Sequence, residues 1–331
     1  MAPRFTESDT VPPVSTHSST MTHPNRPYRV VVHGLSYFCK KLSNLVQDDR
    51  WQVLDRSGHS PAQMVDLVRD LARCDLAYTW GGRISMGKFL WAARLLGKQK
   101  LIMLWSGSDV LYAQDEHAKG KRTPWVNGVV HWAVSPWIAE EVKNLGIPCE
   151  YVQASFVNEI TQPKPLPKKF SVLIFVKTIA RTELYGWDRM LEVAQALPHV
   201  NFQLCGLPAG ESLPCPPNIK LHNWMSDLTP LLEEITVVYR PVRHDGLSFT
   251  VIEALSHGRH VLYSYPLPGC VQVTDTAMAC AELQRLYAAH EAGTLTLNEA
   301  GRQYIAREYA AEKVRLELLR RWEQIILAPA S

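Results

Sequence analysis

The sequence has no long apolar run, no cysteine pair at metal or disulfide spacing, and no dominant charge of one sign, and each absence removes a class of protein. Its longest unbroken apolar stretches, such as LIMLW at 101–105, are far too short to cross a bilayer. No apolar signal region follows the few basic residues at the N-terminus, so the expectation is a soluble, unexported, cytoplasmic protein. Seven cysteines without a Cys-x-x-Cys argue against a disulfide framework and a zinc knuckle, and read as small buried hydrophobes. The twelve histidines do not fall at ligand spacing, so no metal is expected. With 35 Lys and Arg against 32 Asp and Glu, a net charge of +3, there is no basic excess to hold nucleic acid. A lone Gly34 after the first apolar run falls short of Gly-x-Gly-x-x-Gly, which disfavours a Rossmann dehydrogenase.

What is present is a chain of 331 residues, 46% hydrophobic, enough for two domains. Residues 1–26, rich in Ser, Thr and Pro, read as a disordered tail, because they offer too little apolar surface to offset ordering. From Tyr28 short β-branched runs alternate with helical periods, the pattern of parallel βαβ units. YRVVVH, WQVLD, DLAYT, KLIMLW, VVHWAV and CEYVQ read as strands. Helices fall on LSYFCKKLSNLVQ, on Pro61 to Arg73, on ISMGKFLWAARLLG and on PWIAEEVKNLG. The run TQPKPLPKKF at 161–170 resists helix and sheet alike and reads as a linker. The alternation then restarts with SVLIFV, WDRMLEVAQAL, NFQLC, IKLHN, ITVVYR, LSFTVIEALSHG and HVLYSY, and the last fifty residues are mostly helical. The expected fold is α/β, two Rossmann-like doubly wound domains facing across a cleft. Residues 27–162 are expected to form the first of these domains, residues 163–310 the second, and residues 311–331 a last helix packing back on the first. Ligands in such folds sit at the carboxyl ends of the strands.

The densest chemistry lies at ITVVYRPVRHDGLSFTVIEALSHG, 235–258. A buried strand ends in a loop carrying Arg240, Arg243, His244 and Asp245, and Gly246 turns into a helix whose free N–H groups begin near Leu247 and Ser248. Such a helix start attracts anions, since orphan donors and the macrodipole point the same way. Asp245 and Glu253 stand eight residues apart, about 12 Å along a helix and within about a quarter turn of each other. That span suits a ligand with hydroxyls at both ends and a diphosphate between. Equally, FTVIEAL reads as an ordinary amphipathic helix with Glu253 on its wet face and Asp245 as a plain cap.

These residues resemble the donor-site signature of retaining glycosyltransferases of the GT-B fold, especially family four, with Asp245 where the family has Glu and with Gly246, Glu253, Ala254 and Gly258 in register. NFQLCG, WAVSPWIAEEVKNLG, WSGSDV and the C-terminal REYAAEKVRLELLRRWEQIIL are similar to further family motifs in the same order. The resemblance implies a hexosyl-type transferase that moves a sugar from a nucleotide-diphosphate donor to an acceptor hydroxyl with retention. Neither cofactor nor metal is implied. Asp245 and the amides of Gly246, Leu247, Ser248 and Phe249 would contact sugar and diphosphate, and Glu253 the ribose. Gly34 would let the first-domain loop approach the phosphates. The family's Arg and Lys-Gly in the loop after the first strand of the second domain are replaced: in FVKTIARTELYGWD, Lys177 stands near the Arg position and Tyr185 takes the place of the Lys. Lys177, Arg181 and Arg243 are therefore the expected cations for the leaving dianion.

On the acceptor side, Trp80 and Trp105 at strand ends read either as stacking surfaces or as core residues, and Asp109 either as an acceptor contact or as the cap of VLYAQDE. Ser106 stands where many relatives have a sugar-contacting His. The expected acceptor is a carbohydrate, a glycolipid or a small molecule. Membrane contact is at most peripheral, on the inner face, with Lys119, Lys121 and Arg122 of HAKGKRTPW as its candidates. The altered cation loop leaves two other readings, an impaired nucleotide-sugar-binding protein and a GT-B relative such as a nucleotide-sugar epimerase.

Overall fold

The computed structural model describes residues 26–46, 48–85, 87–158 and 162–329, so residues 1–25 of the tail expected over 1–26 lie outside the described residues, while Arg26 pairs with Asp75 at 2.8 Å. The first lobe runs β1 Tyr28–Gly34, α1 Ser36–Leu45, β2 Trp51–Asp55, α2 Pro61–Arg73, β3 Leu76–Trp80, α3 Lys88–Leu95, β4 Leu101–Trp105, α4 Ser108–Ala118, β5 Val130–Ala133, α5 Pro136–Asn144 and β6 Glu150–Tyr151. The second runs β7 Ser171–Phe175, α6 Thr182–Tyr185, α7 Trp187–Ala196, β8 Asn201–Leu207, β9 Ile219–Asn223, α8 Thr229–Glu233, β10 Val237–Arg240, α9 Phe249–Ser256, β11 His260–Tyr263 and β12 Val271–Gln272. Helices α10 Thr276–Glu291, α11 Glu299–Glu308 and α12 Ala311–Leu327 close the chain.

Each lobe holds one six-stranded sheet in which every pairing is parallel. The first sheet has the order β2-β1-β3-β4-β5-β6 and the second β12-β11-β10-β7-β8-β9. Read from β9, the second is the 3-2-1-4-5-6 order of a doubly wound dinucleotide fold. Strands β3 and β4 are buried along their whole length, which is why LAYTW and LIMLW are continuous apolar runs and not alternating ones. Helix α2 starts where its sequence says: Ser60 and Gln63 form a reciprocal capping box, and Pro61 occupies the first turn.

Three expectations need adjusting. The helix over ISMGKFLWAARLLG begins only at Lys88, because Ile84 is drawn into the core cluster that holds Trp105 and Gly87 stays extended as the cap. CEYVQ supplies only a two-residue edge strand. The short elements α6, α8 and β12 had no pattern long enough to register.

The Pro-rich segment is pinned to the second lobe by Arg259, fully buried, whose guanidinium donates to the carbonyls of Lys164, Pro165 and Leu232. Helix α12 returns to the first sheet, where the buried indole of Trp322 lies 5.8 Å from both Trp51 and Tyr78. Ion pairs Arg50–Glu323, Arg315–Asp48 and Arg321–Glu150 frame that contact. No helix among the described residues is long and apolar enough to cross a membrane.

Candidate active site

In both sheets the strand order reverses at one point, and the loops leaving there part to open a crevice. In the first lobe these loops follow β1 and β3, and in the second β7 and β10. All four border one cavity of about 1120 Å³ between the lobes, lined by His33, Gly34 and Trp80 on one side and by Lys177, Arg181, Tyr185, Arg240, His244, Asp245 and Gly246 on the other.

The turn after β10 is gripped from several directions. The Asp245 carboxylate accepts from Arg240 Nε at 2.7 Å and from the Tyr263 hydroxyl at 3.0 Å, both on Oδ2. Its backbone N–H donates to the Tyr265 hydroxyl, and its carbonyl accepts the indole N–H of Trp137, which stacks on Tyr265. Trp137 belongs to α5 of the first lobe, as does Glu141, whose carboxylate lies 2.8 Å from His244 Nε2. A Cβ on Gly246 would stand 1.9 Å from the Ser106 carbonyl oxygen, so at this point the lobes meet backbone to backbone. The N–H groups of Gly246, Leu247, Ser248 and Phe249 meet no protein acceptor among the described residues.

The remaining donor-side candidates separate. Lys177 is exposed on the cavity rim, and Arg181 crosses to the first lobe, donating to Ser108 Oγ at 3.4 Å and to the Tyr112 hydroxyl at 3.0 Å. Arg243 points elsewhere: it pairs with Asp188 at 2.7 Å, donates to the Glu183 carbonyl and does not line the cavity, which corrects its assignment as a diphosphate ligand. Leu247 and Ser248 are buried and, with Phe249 and Glu253, lie outside the cavity lining. Phe249 packs on Phe38 of α1 and on the ammonium of Lys41, 4.1 Å from its ring. Lys41 also sits 3.8 Å from Glu253, so that carboxylate faces the other lobe. Burial raises the pKa of Glu253 above the usual carboxylate range; Lys41 works against the rise and Asp227 adds to it. Gly34, at φ 124°, closes against the end of β3, where a Cβ would stand 2.0 Å from the Trp80 carbonyl oxygen.

The two tryptophans belong to the core. Trp105 is wholly buried with its N–H on His131, and Trp80, 2% exposed, stacks face to face on Phe38, so neither has a free face for an acceptor. Asp109 lines the cavity but is not the cap, because Gly107 caps α4, and its carboxylate is engaged by the backbone N–H groups of Gly82, Ser106, Gly107 and Val110. Burial raises its pKa against the pull of those four donors. The acid thereby ties together the loops after β3 and β4. In the basic run, Lys119 pairs with Asp115 and Arg122 holds the last carbonyls around α5, leaving the Lys121 ammonium as the one of the three with no partner among the described residues. The residues missed from sequence are contributed by distant segments: Tyr263, Tyr265, Trp137, and the first-lobe wall where His33 stacks on Phe89. Among the described residues no group of three or more His, Cys, Asp or Glu is placed to hold a metal.

No family model and no curated protein matches the sequence. Solved structures match by shape. Anabaena HepE in complex with UDP-glucose superposes with a TM-score of 0.67 at 13% identity, over 89% of this chain and 99% of that one. The sucrose-phosphate synthase of Thermosynechococcus elongatus gives 0.62 at 11% identity, over 91% and 100%. TarM gives 0.58 at 13% identity over 80% of this chain, which spans only 58% of TarM. At these identities the likeness shows the fold, which is GT-B with two Rossmann-like halves.

Proposed function

We propose that the chain is a glycosyltransferase that transfers a sugar from a nucleotide-diphosphate donor to an acceptor hydroxyl with retention at the anomeric carbon. The observation that carries this reading is the run of four N–H groups from Gly246 to Phe249 that meet no acceptor among the described residues, beginning beside Asp245 at the edge of a cavity that both lobes line. Bare amides opening a helix favour a phosphate, and the cations Lys177 and Arg181 line the cavity that Gly246, the first of the four, borders. HepE, of the same fold, is solved with UDP-glucose, which supports a uridine diphosphate sugar as the first donor class to try.

In this reading Asp245 positions the sugar. Its Oδ2 is committed to Arg240 and Tyr263, while Oδ1 has no hydrogen-bond partner among the described residues and is free for a sugar hydroxyl. Glu253 takes the ribose diol, displacing Lys41. As the bond from the anomeric carbon to the diphosphate oxygen breaks, its electron pair stays on that oxygen. The amides and cations stabilise the charge, and the acceptor hydroxyl attacks on the same face and gives up its proton to the departing oxygen. The acceptor is a carbohydrate, a glycolipid or a small molecule held by the first-lobe wall.

The test incubates the purified chain with a panel of nucleotide sugars and acceptors, following thermal shift first and products second. A donor that raises the melting temperature and yields a glycoside with the donor's anomeric configuration supports the reading. Binding without transfer or donor hydrolysis, or a nucleotide sugar epimerised without acceptor, overturns it.

A further inference from the structure

Arg240 is the last residue of β10, at the strand-order reversal of the second sheet, and its side chain is only 8% exposed. Burying a guanidinium is expensive unless its charge and its five N–H donors are met. Here they are met in part. Nε reaches Asp245 at 2.7 Å, yet Nη1 is buried with no partner among the described residues, although the side chain lines the interlobe cavity. The rings of Tyr185 and Phe175, themselves 5.9 Å apart, lie 5.6 Å and 5.9 Å from the guanidinium carbon and flank it from one side, adding cation–π attraction. Burial works to lower the pKa of the group, but Asp245, with Tyr263 and Tyr185 adding, raises it overall, so it stays cationic. A fixed, charged and half-satisfied fork facing a cavity is built for a planar or tetrahedral oxyanion.

We infer that Arg240 is a diphosphate-binding residue of this cavity: the unused edge of its guanidinium takes oxygens of the phosphate that bears the sugar, while Asp245 holds the other edge in place. The inference rests on the nucleotide-sugar reading above and deepens it. It supplies a buried cation where Arg243 is diverted to Asp188 and Lys177 stands out on the rim. It also gives the Arg240–Asp245 pair a purpose: the acid fixes the fork and the sugar, and the fork fixes the leaving group, so the breaking bond is spanned by one ion pair.

Calorimetry with UDP and UMP on the full chain separates the terminal phosphate from the rest of the nucleotide. The wild type should bind UDP more tightly than UMP. Arg240→Gln should lose about ten- to hundredfold in UDP affinity, the loss of one charge-assisted contact, with UMP affinity unchanged. Arg240→Lys should fall between, because a point charge cannot serve Asp245 and a phosphate at once. Asp245→Asn keeps the arginine and removes its competing anion, so UDP should bind several-fold more tightly and UMP as before. That variant decides the matter if the Arg240 variants fail to fold. An unchanged preference for UDP over UMP in folded Arg240→Gln, or no gain in Asp245→Asn, overturns the inference. Should the wild type bind none of UDP, GDP and ADP, the nucleotide-sugar reading fails separately. Inorganic pyrophosphate is then the probe: binding lost in Arg240→Gln keeps the anion site, and no binding removes it.

Discussion

At the scale of single residues, burial decides which side chains are available for chemistry. Trp80 and Trp105 sit at strand ends and Asp109 just beyond one, where function is expected, yet the tryptophans are spent on the core and the acid on holding two loops together. Nothing in the local sequence separates a tryptophan that stacks on a ligand from one that stacks on Phe38, since the partner comes from another segment. Glu253 differs, being held by burial above the usual carboxylate range while facing Lys41 across the interlobe gap. If its ionised form accepts the ribose hydroxyls, nucleotide affinity falls as pH drops through that raised pKa, at a higher pH than an ordinary glutamate would give. Calorimetry should show this weakening in the wild type and its absence in Glu253→Gln. Glu253→Ala should cost about 1.5–3 kcal/mol of nucleotide binding at neutral pH. Unchanged affinity in a folded Glu253→Ala variant removes the residue from the ribose site.

At the scale of elements, the strands and most helices were legible because their signals are local. The apolar runs, the Ser60 and Gln63 capping box and the Gly258 that ends α9 each act within a few residues. The turn between β10 and α9 was legible as a helix start with bare amides. What was not legible is that this turn packs against the Ser106–Gly107 turn of the other lobe with no room for a side chain. Gly246→Ala should force those turns apart. The change adds about 1–3 kcal/mol of overpacking and, by moving Asp245 relative to the first-lobe wall, lowers turnover about a hundredfold. Assay beside circular dichroism checks this: full activity in a folded variant would mean that the backbone contact does not set the site.

At the scale of the whole molecule, the two lobes are joined by more than the linker. Helix α12 leaves the second lobe and buries Trp322 between Trp51 and Tyr78 of the first, so each lobe depends on the chain's last turns. Trp322→Ala should cost about 3–5 kcal/mol, seen as a lower denaturant midpoint, with nucleotide affinity falling as the lobes lose alignment. A midpoint within error of the wild type would show that α12 is not a structural bridge. By itself the sequence determined the α/β alternation, the elements that flank the cleft and the acid-and-glycine turn that borders the cavity, because hydrophobic period, caps and turn residues act over short chain distances. Only the tertiary structure decided which charges reach the cavity, turning Arg243 toward Asp188 and leaving Arg240 Nη1 buried without a partner among the described residues. Ion-pair partners, burial and the meeting of two lobes are fixed by segments tens to hundreds of residues apart, and no local pattern carries them.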